Sequence, residues 1–114
     1  MPLDNTSLTP VANRMREILG PNGEHWCTWS LSDGRGNHCI MGAYLMALGR
    51  GRDASYNELC NDLLHAVRKV EPTAKSTPGF NNRQTSFEPI RRVIDAFAEM
   101  EAEKTLATKS LVAA

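Results

Sequence analysis

The greatest capacity for chemistry in this chain lies in SDGRGNHCIMGA, residues 32–43, where a glycine-rich turn carries Arg35, Asn37, His38 and Cys39 into an apolar run. If a helix starts at Cys39, the amides of His38 to Met41 lack intrahelical acceptors, and the helix dipole adds partial positive charge there. Gly34 and Gly36 let a ligand approach the backbone, and Arg35 adds a cation. A second such place precedes the last helix start, where Asn81, Asn82, Arg83 and Thr85 cluster. If the fold joins the two, Gly34, Arg35, Gly36, Asn37, His38, Asn81, Asn82, Arg83 and Thr85 could bind a phosphate-bearing small molecule. The competing reading is structural: Asp33-Gly34 turns, Asn37 caps a helix and Arg83 is solvated. No Walker or Rossmann spacing is present to favour the ligand.

Cys39 beside His38 raises a second chemistry, since a thiol at a helix N-terminus can lose its proton and become a nucleophile. Against it, neighbouring residues on an extended chain point to opposite sides, and no carboxylate is placed to orient His25, His38 or His65. A buried free cysteine more often packs as a small apolar residue. No catalytic residue is therefore assigned, and a Cys39-dependent enzyme stays as the alternative to a binding protein. His25, Cys27, His38 and Cys39 are the right types for zinc, but neither Cys-x-x-Cys pairs nor His pairs at helical spacing occur. Neither metal nor cofactor is called for.

The basic clusters are Arg50-Gly-Arg52 and Arg91-Arg92, and a solvated helix face explains the second. With two Trp, two Tyr and three Phe the chain is poor in stacking platforms, which argues against direct nucleic-acid recognition and leaves a nucleic-acid-associated regulator as a further alternative. Thirteen basic residues balance thirteen acidic ones, so total charge calls for no polyanionic partner. No apolar run reaches the ~18–20 residues that span a bilayer. The opening MPLDNTSLTP lacks the basic and apolar regions of a signal peptide, and three scattered cysteines do not resemble a disulfide framework. A soluble, cytoplasmic protein with reduced thiols is expected.

The elements that must position these residues fit a single domain over 1–114, with a loose arm at 1–8 and a frayed or docking tail at 105–114. Thr9-Pro10 reads as a helix start with Thr9 as N-cap, and Val11, Met15, Ile18 and Leu19 share the face that Gly20-Pro21 terminates. Cys27, Trp29 and Leu31 alternate with polar residues, which predicts a strand with that face inward, and Asp33-Gly34 predicts a hairpin returning through 35–38. A helix over 39–48 is closed by Gly49. Ser55 and Glu58 form a capping box for a helix from Tyr56 to Val70, stopped at Glu71-Pro72. Residues 73–84 read as a polar loop. A second box at Thr85 or Ser86 opens the last helix, striped by Phe87, Ile90, Ile94 and Phe97. The expected fold class is α+β, about four helices packed around a short two-stranded β-hairpin.

Trp26, Trp29, Gly36, Cys39, Gly42-Ala43, Phe80-Asn81-Asn82 and Thr85 resemble the pattern of a family of small uncharacterised domains found in bacteria and phages. Tyr44 stands where Leu is usual, Phe80-Asn81-Asn82 replaces Trp-Asn-Asp, and Arg83 lies two positions before Thr85. The resemblance implies one small helical domain and a phage or mobile-element origin, and brings no activity with it. The functional expectation is a small non-enzymatic binding protein, with an anti-defence role if phage-borne. Its partner would be a host protein or a small anionic ligand, with no membrane. The last helix's stripe would serve a homodimer as readily as a monomer core.

Overall fold

The computed structural model describes residues 10–51 and 53–113, with side chains through Lys104. Five helices occur among these residues: α1 Val11–Leu19, α2 Ile40–Leu48, α3 Tyr56–Val70, α4 Thr77–Asn82 and α5 Glu88–Ala113. α2 lies centrally against α1 and α4, while α5 crosses α1 and α3, and α4 leans on α3. Buried Met15, Leu19, Ile40, Met41, Leu63, Val67, Phe80, Ile90 and Ile94 supply the large side chains of one core. Among the described residues no helix is long and apolar enough to cross a membrane.

The α+β expectation is overturned, because no strand forms among the described residues. Only isolated bridges occur, Trp26 to His38 in parallel sense and Ser32 to His38 in antiparallel sense, so a single residue serves both. The alternation through Cys27, Trp29 and Leu31 fails at its centre. Trp29 takes a left-handed φ of 67° and is 79% exposed, which breaks the pleat and turns the indole outward. The fold is helical, with segment 20–39 an irregular loop.

Local rules account for most helix ends. Gly20 stops α1 at φ 85°, and Gly49 closes α2 in the left-handed region, its N–H returned to Leu45 and Met46 carbonyls. α3 ends at Glu71 before Pro72, where the residue preceding proline leaves helical geometry. The expected Thr9 cap lies outside the described residues, and Pro10, expected at the first helical position, holds the cap position without a side-chain bond. Instead the Glu101 carboxylate of α5 accepts the Val11 and Ala12 amides at 2.9 and 2.8 Å.

Two further expectations are corrected. Ser55 makes no capping bond, since Asp53 takes both its amide at 2.9 Å and its hydroxyl at 2.7 Å. These bonds, with Arg50 beside them, hold the Asp53 carboxyl down at about 2. Residues 73–84 are not all loop: Ser76 accepts the Gly79 amide and Pro78 sits in the first turn, where it loses no helical bond, so α4 forms and buries Phe80. α5 passes Lys104, where the apolar period ends, and continues to Ala113.

Candidate functional site

Segment 25–39 is organised by one side chain from α4. Asn81 is fully buried, and its Oδ1 accepts the Trp26 indole N–H at 2.8 Å and the Ile40 backbone N–H at 3.0 Å. Its Nδ2 donates to the Cys27 carbonyl at 3.2 Å. A buried carboxamide with both ends satisfied fixes the geometry around it. Trp26 also meets the Phe87 ring, with centroids 6.0 Å apart.

The start of α2 is closed by its own sequence. Cys39 is the N-cap, in extended geometry, and its Sγ accepts the Gly42 amide at 3.3 Å. A Cβ on Gly42 would stand 2.0 Å from the Leu31 carbonyl oxygen, so only glycine lets the loop lie this close to the helix. Burial pushes the Cys39 thiol up, and the Gly42 amide offsets this only in part. The Cys27 thiol is also raised, first by burial and then by Cys39. Neither is poised as a thiolate.

The turn expected to cradle an anion holds a carboxylate of its own. Asp33 Oδ1 accepts the Arg35 amide at 2.8 Å and the Asn37 amide at 3.1 Å, and Oδ2 accepts Asn37 Nδ2 at 2.7 Å. The Asn37 side chain first, then the Arg35 amide, lower the Asp33 carboxyl below its usual range. Gly34 and Gly36 take φ of 76° and 89° with open space around them, and Arg35 is exposed. The His38 amide donates to the His25 carbonyl, and Nδ1 lies 3.2 Å from the Leu31 carbonyl. Of the free amides expected at the α2 start, those of His38 and Ile40 therefore have acceptors within the protein, as does the Gly42 amide that follows.

The second segment divides. Asn81 and Asn82 meet the 25–39 loop, whereas Arg83 turns away to an ion pair with Glu71 at 2.7 Å and Thr85 is exposed. No described cavity is lined by both Arg35 and Arg83. Likewise His25, Cys27, His38 and Cys39 form no metal-holding group, and none of three or more His, Cys, Asp or Glu occurs among the described residues. Arg91 is engaged with Glu88 at 3.1 Å and the Pro21 carbonyl at 3.1 Å, while Arg52 lies outside the described residues.

What the two segments do build is a groove of about 530 Å³, bordered by Trp29, Leu31, Tyr56, Pro78 and Asn82. Asn82 Oδ1 accepts the Trp29 backbone N–H at 2.6 Å and so holds the left-handed residue in place. Sequence reasoning missed Trp29, Tyr56 and Pro78 as a group, since they come from three elements far apart in the chain. The signal within reach was a tryptophan set among serines just before a glycine-rich turn.

Compared with protein-family models, with curated proteins and with solved structures, the chain has no match in any of the three. The resemblance therefore rests on its residues, and several have structural work. Trp26, Cys39, Gly42 and Asn81 meet where α2 begins, so the pattern encodes a junction between α2, α4 and the loop.

Proposed function

We propose that this chain is a small non-enzymatic binding protein of the reducing cytoplasm that recognises a partner protein through a surface centred on Trp29. The observation that carries the reading is Trp29 itself: 79% exposed, left-handed, and fastened through its backbone N–H to Asn82. A left-handed non-glycine residue costs roughly 1–2 kcal/mol, and such strain concentrates at functional positions. Exposed tryptophan is also the residue type most enriched among binding hot spots. Three cysteines that form no disulfide suit a reducing compartment. The resemblance to bacterial and phage domains supports a host protein as the partner, with anti-defence as the role it would serve.

A protein partner is favoured over a phosphate-bearing ligand by the Asp33 carboxylate in the turn and by the Arg83–Glu71 pair. It is favoured over cysteine catalysis by the burial of Cys39. The test compares wild type with Trp29→Ala as bait in host lysate, then measures affinity for each retained protein after purification. A partner whose affinity falls at least about tenfold in the variant is expected, given the usual weight of a tryptophan hot spot. Equal retention of every partner by a folded Trp29→Ala protein would remove the reading.

A further inference from the structure

The Trp29 groove has a composition that narrows what can lie in it. Its walls include the exposed Trp29, the half-buried Tyr56, Pro78 and Leu31, and none of the described residues that line it is charged. Two donors are left over. Trp29 Nε1 has no acceptor among the described residues, and Asn82 spends its Oδ1 on the Trp29 amide and Asn81 while its Nδ2 has none.

We infer that the groove binds a proline-rich segment in the polyproline II conformation. This rests on the Trp29-centred surface proposed above and names the chemistry of its ligand. A polyproline II strand makes no internal hydrogen bonds, and at each proline it offers a carbonyl acceptor with no N–H donor. Its complement is a neutral groove with aromatic walls and outward donors, the recognition mode by which proline-rich ligands dock. Trp29 and Asn82 supply the donors, and the exposed ring face of Trp29 packs against a pyrrolidine ring, with Tyr56 and Pro78 lining the groove beside it. The left-handed backbone and the Asn82 bond fix the main chain that carries the indole before binding, which lowers the ordering cost.

Other peptide modes fit less well. Strand addition needs a sheet edge, and the described residues contain none. A phosphopeptide needs cations in the groove, and none of the described residues of its walls is one. An amphipathic helix needs an extended apolar trough, whereas serines and Asn82 make much of this surface polar.

The experiment selects a displayed random-peptide library on the immobilised full-length chain, with Trp29→Ala as the counter-target. The best peptide is then titrated into isotope-labelled protein. Expected is proline enriched at least about threefold over the input library, with the Trp29 indole and Asn82 side-chain amide resonances shifting on titration. Absence of any enriched peptide overturns the inference, as does a selected pool without proline enrichment or one equally enriched on Trp29→Ala. Trp29-dependent capture of a host protein alongside such a result would sink the proline-rich ligand and keep the recognition surface. Loss of both would sink the two together.

Discussion

The Oδ1 of Asn81 accepts the backbone N–H of Ile40 at 3.0 Å, so a side chain from α4 closes the start of α2, 41 residues earlier in the chain. The same oxygen holds Trp26, and the amide nitrogen holds Cys27. Asn81→Ala leaves an indole N–H, a helix-start amide and a carbonyl to find other partners. Each group left dry costs about 1–3 kcal/mol, so the variant should lose roughly 3 kcal/mol or more. Urea unfolding measures it; a loss under about 1 kcal/mol would show that water replaces the carboxamide.

Gly42→Ala tests the contact on the far side of the same junction. The added methyl meets the Leu31 carbonyl oxygen, a backbone atom that cannot rotate away. Helix propensity favours alanine by about 1 kcal/mol, while overpacking costs about 1–3 kcal/mol or more, so the steric term wins. A lower thermal midpoint is the expected outcome. An unchanged or higher one would mean that the loop stands off from α2.

Trp29→Gly separates stability from recognition. Glycine takes a φ of 67° without strain, and an indole 79% exposed contributes little packing. The variant should match or exceed wild type in stability by up to about 1 kcal/mol while losing partner binding. A clear drop in stability would instead assign Trp29 to the scaffold.

The thiols predict an alkaline limit. Burial raises Cys39 and Cys27, so the folded protein holds their protons at pH values where the unfolded chain gives them up. Their contribution is complete below the usual thiol range and is lost as pH rises through the raised folded values. Burial raises Tyr44 as well, and it acts in the same direction at higher pH. Cys39→Ser should keep the helix cap, because serine is a preferred capping residue, and should soften the decline above about pH 9. At neutral pH iodoacetamide should label Cys39 slowly in the native state; rapid labelling would return it to candidacy as a nucleophile.

Helices α1, α2 and α3 were legible because each combines a periodic apolar face with a residue that stops it: Gly20, Gly49 and Glu71-Pro72. The hairpin was a false reading of alternation too short to distinguish a strand from a loop, and the sequence does not reveal that Trp29 leaves the pleat. α4 was hidden by Pro78-Gly79, which signals a turn, although Ser76 ahead of it is equally a helix cap. Asn81 and Asn82 stood out as hydrogen-bonding residues; what their sequence could not say is that their partners are the chain's own loop. Two tryptophans three positions apart look alike in the sequence, yet one is half-buried and bonded to Asn81 and the other is exposed.

The Glu101 carboxylate on the Val11 and Ala12 amides has a further consequence for the living cell. A helix of nine residues is marginal by itself, and this one takes the acceptor for its first turn from a position 90 residues away. During synthesis Val11 precedes Glu101 by 90 residues, so the first-turn amides of α1 are left to water until α5 is made. A chain truncated before α5 would leave α1 without the carboxylate that accepts the amides of its first turn.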